Sequence, residues 1–138
     1  MADYQTIDIS QIQPSQFYIS AEKLQAIETW FKPANLSNFD PIPIKKLDGE
    51  LVSTDGHTRC VAALLAGLTA VPFVWEQDEL DWVMYRRCIA ACKENGVYSI
   101  NDLRHRIISA SEYEIKWNQW CDAMQAEVAA ERESSDVP

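Results

Sequence analysis

The stretch Leu51-Val52-Ser53-Thr54-Asp55-Gly56-His57-Thr58-Arg59-Cys60-Val61-Ala62-Ala63-Leu64-Leu65 passes from an apolar, strand-like run through one glycine into an Ala/Leu-rich helix. A strand that turns straight into a helix leaves the first backbone N–H groups of that helix without intrahelical partners and aims them at one spot. The aligned peptide dipoles favour an anion there, and His57 and Arg59 are placed to add charge-assisted hydrogen bonds to a phosphate. Asp55 has the opposite sign, so beside a phosphate it is the group to hold a cation such as Mg²⁺ or to accept a substrate proton. The same residues also fit a plain helix start, with Asp55 as N-cap, Gly56 as turn and Arg59 as a solvated first-turn side chain. On the local pattern both readings stand.

Working outward, Asp48-Gly49 separates Pro41-Ile42-Pro43-Ile44-Lys45-Lys46-Leu47 from Glu50-Leu51-Val52-Ser53, a strong hairpin signal. The two prolines cannot donate to a ladder, so the first strand is expected to begin at an edge or to pair on one side there. Gly67 is placed to stop the central helix, and Val71-Pro72-Phe73-Val74-Trp75 reads as a returning buried strand. Upstream, Thr6-Ile7-Asp8-Ile9 alternates as a short strand, and Ser20 can cap a helix over 21–31 that ends before Pro33. Downstream of Gln77 the pattern is helical with no further strand. Asp78 caps a helix over 79–95, Ser99-Ile100-Asn101-Asp102 resembles a capping box, and Ser111 opens a longer helix. In that last helix Tyr113, Trp117, Trp120, Cys121, Met124 and Val128 form a stripe at helical spacing. The fold class is therefore mixed α/β (α+β), with residues 1–77 as an α/β domain and 78–138 as a C-terminal all-helical extension packed on it as one globular unit.

The 138 residues are 47% apolar and carry a formal net charge of −9, enough chain for an ordinary core without staples. The charge is spread, −4 on residues 1–77 and −5 on 78–138. A nucleic-acid binder shows a basic footprint, so direct DNA binding is disfavoured, whereas one phosphate in a local pocket is compatible with an acidic surface. No apolar run reaches the ~20 residues of a membrane span. The N-terminus lacks the pattern of a secretory signal, and the four cysteines lack the paired spacing of a secreted scaffold, which together point to the cytoplasm.

The order of elements over residues 6–76, together with Asp55-Gly56-His57-Thr58-Arg59, resembles the ParB/sulfiredoxin-like superfamily. That resemblance implies a small mixed-sheet fold that binds a nucleotide, ATP or ADP before CTP, with its phosphates on the helix that starts inside the motif. Sulfiredoxins have Gly-Cys-His-Arg, and their reactive cysteine is replaced here by His57. ParB-type partition proteins have Gly-Glu-Arg-Arg, matching only Gly56 and Arg59. The free serine kinases of the superfamily resemble this chain most closely, with Asp-Gly-His-His-Arg against Asp55-Gly56-His57-Thr58-Arg59. Those kinases have a proton-accepting glutamate just after the proline that follows the first strand. Here Pro14-Ser15-Gln16 has glutamine, and Glu22 is the nearest glutamate in sequence.

The resemblance thus implies a nucleotide- or phosphate-binding protein and, beyond that, a kinase-like phosphotransferase acting on a small hydroxyl compound. In that reading Gly56, Thr58 and Arg59 hold phosphate, His57 contacts or orients the transferring group, and Asp55 binds Mg²⁺ or polarises the acceptor. The other reading is a non-catalytic regulatory or interaction module in which the same corner binds a nucleotide as a signal or is purely structural. Cys88 and Cys92, one helical turn apart with His105 further along, suit buried structural thiols better than a metal site. Pairing of His57 with Cys60 for nucleophilic chemistry would require an exposed, electropositive thiol. The Trp117 and Trp120 stripe fits a lid over the α/β unit, and its alternative is a homodimer or partner surface.

Overall fold

The computed structural model describes residues 5–135. Among them the chain runs β1 (Gln5–Asp8), β2 (Ile12–Gln13), β3 (Ile19–Ser20), α1 (Ala21–Glu28), β4 (Ile42–Leu47), β5 (Glu50–Ser53), α2 (His57–Leu65), β6 (Ala70–Trp75), α3 (Trp82–Glu94), β7 (Ile107–Ile108), α4 (Ala110–Tyr113) and α5 (Gln119–Ser135). A 3-10 helix over Ile100–His105 precedes β7, and a π-turn over Glu114–Asn118 joins α4 to α5.

Asp48 and Gly49 both take positive φ, 53° and 84°, as a two-residue type I′ turn requires, and they fold β5 back on β4. The five-stranded sheet has the order β1-β6-β4-β5-β2, antiparallel at β1/β6 and β4/β5 and parallel at β4/β6 and β5/β2. This is the mixed α+β class that the sequence predicts. β4 lies in the middle of the sheet despite its proline. Ile42 and Pro43 pair with β6, and the ladder to β5 begins only at Ile44, so the missing N–H costs no bond on that side.

The C-terminal half completes the same core. Ile12, Ile42, Ile44, Cys60, Val61 and Ala63 of the α/β part form one buried cluster with Cys92, Val97, Ile100 and Leu103 from beyond residue 77. Trp117 and Trp120 stack on each other at 5.7 Å and meet the ring of Phe17 edge-on at 5.1 and 5.0 Å, so the aromatic stripe faces inward. Arg87 pairs with Glu127 and Glu131, and Arg132 with Asp81, tying α3 to α5 at the surface. Among the described residues no helix is long and apolar enough to cross a membrane.

Several boundaries differ from the sequence reading. β1 ends at Asp8 because its carboxylate accepts the Ser10 N–H and starts a 3-10 turn that takes in Ile9. α1 stops at Glu28, where the N–H groups of Trp30 and Phe31 both return to the Ile27 carbonyl. Asp81, not Asp78, caps α3, accepting the Met84 N–H while Arg132 holds its carboxylate. Ser109, not Ser111, caps the last helical segment. Beyond Gln77, where the sequence shows no further strand, Ile107 and Ile108 pair in parallel with Ile19 and Ser20.

A core continuous across residue 77 makes a definite demand on stability. Leu103→Ala, at a fully buried position beyond that boundary, is expected to cost about 2–5 kcal/mol. Urea unfolding followed by tryptophan fluorescence and by circular dichroism should give one coincident transition, shifted as a whole. Two separable transitions would show that the halves fold independently.

Candidate functional site

The corner between β5 and α2 is built by Gly56, whose φ of 77° lies in the left-handed region. A Cβ at this position would lie 2.7 Å from Nη2 of Arg59 and 2.9 Å from Cδ1 of Ile42. Only glycine meets both demands, the reversed backbone and the guanidinium folded against it. Gly56 is itself the N-cap of α2, and no side chain caps this helix. Asp55 as N-cap is corrected here: its carboxylate accepts the Gly56 N–H at 2.8 Å and leaves the first amides of α2 without a side-chain acceptor. Asp55 itself is exposed.

His57 takes a position that the sequence did not announce. It is 4% exposed, and its Nε2 accepts the Ser15 N–H at 3.0 Å with Oγ of Ser53 at 2.9 Å. A backbone amide can only donate, which assigns the ring proton to Nδ1. Burial pushes its pKa down to about 4, helped by the Arg59 charge and opposed by Asp55. The imidazole is therefore neutral at physiological pH, with one nitrogen committed to the interior.

Arg59 is half-buried, and its Nε is buried with no hydrogen-bond partner among the described residues. Buried polar groups are nearly always paired, so an orphan beside an uncapped helix end marks a place where an acceptor is missing. Thr58 is also half-buried. These residues border a cleft of about 330 Å³, whose lining is completed by Lys23, Ala26 and Ile27 of α1 and by Gln16 and Tyr113. Trp75 is 47% exposed and lies outside that lining. All five motif residues thus meet at one open cleft.

Two further contributors had weak or no sequence signals. Lys23 reads as an ordinary surface lysine of a helix, yet it reaches the cleft and lies 4.8 Å from the ring centroid of Tyr113. Gln16, which follows Pro14-Ser15, is the second. Its Nε2 donates to the Tyr18 carbonyl at 2.8 Å and to the Tyr113 hydroxyl at 3.0 Å. Glu22 is exposed on the first turn of α1 and lies outside the lining. Asp55 is consequently the one carboxylate among the residues that line the cleft. Among the described residues no group of three or more His, Cys, Asp or Glu side chains is arranged to hold a metal.

The thiols are structural in character. Burial pushes Cys60 up to about 12 despite the adjacent Arg59, and Cys88 up to about 12 as well. Such thiols carry almost no thiolate at neutral pH. His105 is exposed on the 3-10 helix.

No protein-family model and no curated protein matches the chain. The crystal structure of protein Atu1540 from Agrobacterium tumefaciens is similar over 74% of this chain, at 12% identity and a TM-score of 0.45. The chain spans 61% of that protein, a likeness too distant to carry a fold or an activity across.

Two measurements check this geometry. With a folded-state pKa near 4 against 6.5 for the free side chain, the unfolded state takes up the proton first. The His57 contribution is thus fully present above pH 6.5 and lost as the pH falls toward 4, on the order of 3 kcal/mol. Urea unfolding between pH 7 and pH 4 should show this extra slope in the wild type and its absence in His57→Gln. Gly56→Ala should destabilise the fold by at least the ~1–2 kcal/mol cost of a left-handed alanine, and equal urea midpoints would refute the account of the turn.

Proposed function

We propose that this chain is a nucleotide-binding domain of ParB/sulfiredoxin-like type that holds the phosphates of ATP or ADP, and less well of CTP, at the start of α2. The observation that carries this reading is the orphaned Nε of Arg59 beside the uncapped amides of α2, in a cleft that Lys23 also borders. In it the amides following Gly56 and the Thr58 hydroxyl donate to phosphate oxygens, while Arg59 and Lys23 balance their charge. Asp55 fits Mg²⁺, which commonly takes one or two protein carboxylates and completes its shell with phosphates and water. His57 acts as a positioning residue, since its Nε2 is held by Ser15.

Whether phosphoryl transfer to a small hydroxyl compound follows depends on a proton acceptor. Gln16 is an amide and His57 is buried, which leaves Asp55 among the lining residues. This scarcity favours the second reading, a regulatory or interaction module that binds nucleotide without turning it over. Four cysteines without a disulfide support a cytoplasmic location. The net charge of −9 supports a ligand other than DNA.

Thermal unfolding with ATP, ADP or CTP, each with Mg²⁺, tests the binding. A ligand at a hundred times its Kd adds about 2.7 kcal/mol, seen as a rise of several degrees in Tm. Arg59→Ala should abolish the rise while leaving the unliganded protein folded, and no rise with any of the three would overturn the proposal. Release of ADP that depends on serine or a related hydroxyl compound, and is lost in Asp55→Asn, would identify a kinase. Binding without turnover would identify a module.

A further inference from the structure

A second cavity, of about 210 Å³, shares Gln16 with the phosphate cleft and lies under the C-terminal helices. Successive residues divide between the two: Thr54 lines this cavity and Asp55 the cleft. Much of the polar side-chain content of its wall is engaged within the protein. Oγ of Ser15 donates to the Ser53 carbonyl at 2.7 Å, Oγ1 of Thr54 to Glu76 at 2.7 Å, and the Tyr85 hydroxyl to the Thr54 carbonyl at 3.0 Å. Asp81 at the same wall is paired with Arg132. What remains to meet a ligand is mostly soft and apolar, Met84, Cys88, Trp117, Cys121 and Met124, together with the amide of exposed Gln125.

A wall lined mostly by thioether, thiol and indole suits a flat, uncharged ring, through dispersion, sulfur–ring contact and stacking. Gln16 stands at the junction with its amide nitrogen committed to Tyr18 and Tyr113. Its Oε1 is therefore the atom left to accept a hydrogen bond from a ligand N–H or O–H. The cleft alone, at about 330 Å³, sits at the lower edge of the roughly 300–1,000 Å³ of ordinary ligand sites, and the cavity adds about 210 Å³ beside it.

We propose that this cavity is the subsite for the ring-bearing end of the phosphate ligand, so that the chain selects a phosphate joined to a flat apolar ring over a bare polyphosphate. The proposal rests on the phosphate reading of the adjoining cleft. A nucleotide base and a simple aryl phosphate share this chemistry.

Isothermal titration of the full chain with Mg²⁺ separates the possibilities, using tripolyphosphate, ATP, CTP, inorganic phosphate and phenyl phosphate. The wild type should bind ATP or CTP at least about tenfold more tightly than tripolyphosphate. Cys121→Phe, which fills the cavity, should bring that nucleotide to the tripolyphosphate affinity without changing tripolyphosphate itself, and Cys121→Ser should leave both unchanged. Arg59→Ala should weaken every phosphate ligand alike. Phenyl phosphate binding that exceeds inorganic phosphate, and is lost in Cys121→Phe, would assign the ring to an aryl phosphate source instead of a nucleotide. Equal affinities for tripolyphosphate and both nucleotides with no advantage for phenyl phosphate, or affinities unmoved by Cys121→Phe, would overturn the subsite and leave the phosphate cleft standing. Failure of every ligand to bind would overturn both. Should Cys121→Phe not fold, Gln125→Trp at the exposed rim of the same cavity replaces it.

Discussion

The bond from the Ser15 N–H to Nε2 of His57 spans 42 residues and fixes where α2 begins. It joins the first turn of that helix to the segment that leaves β2, and Oγ of Ser15 extends the tie to the Ser53 carbonyl at the end of β5. Strand end, helix start and incoming loop are thereby locked at one point, buried and away from competing water. The neutrality of His57, set first by its burial, agrees with the same contact, because a proton on Nε2 would face a donor. A charged imidazole would undo the corner that gathers Asp55, Thr58 and Arg59.

That lock is held from outside by the C-terminal half. Nε2 of Gln13 donates to the Val97 carbonyl at 3.1 Å, Nε of Arg106 to the Phe17 carbonyl at 2.6 Å, and the Ile19 N–H to the Arg106 carbonyl at 3.0 Å. Trp117 and Trp120 cover Phe17 from above. The stretch from Gln13 to Ser20, which delivers Ser15 and Gln16 and then starts α1 with Lys23, has little regular structure of its own. It is shaped by what lies beyond residue 77. The helical segment is therefore part of the site's framework, and a chain cut at residue 77 would lose the partners that aim Ser15 at His57.

Elements with strong local chemistry were legible in the sequence. Asp48-Gly49 specified the hairpin, the apolar run after His57 specified α2, and Ser99 with Asp102 formed the expected capping box, though on a 3-10 helix. The two-residue strands β2, β3 and β7 were not legible, because each is defined by a distant partner and is too short to show a period. The motif residues were identifiable from their order, and the structure brings all five to one cleft. The orientation of His57 was hidden, since a histidine at a helix start looks the same in sequence whether it faces a ligand or the core. Lys23 and the Gln16–Tyr113 contact were likewise invisible, being set by how α1 and α4 pack around the loop.

An acidic surface and a cleft bordered by Lys23 and Arg59 are compatible because they act over different distances. At physiological ionic strength charges are screened over about 8 Å, so carboxylates on the far side of α5 contribute little at the start of α2. Inside the cleft the lining charges are Lys23 and Arg59 against Asp55 alone, and the helix end adds partial positive charge. A single phosphate group meets this local balance. An extended polyanion would leave the cleft at once and run along a surface of net negative charge, losing at each further phosphate what it gained at the first. On the proposed phosphate reading, the same charge distribution favours a small anion over an extended one, before any contact to the organic part of a ligand is made.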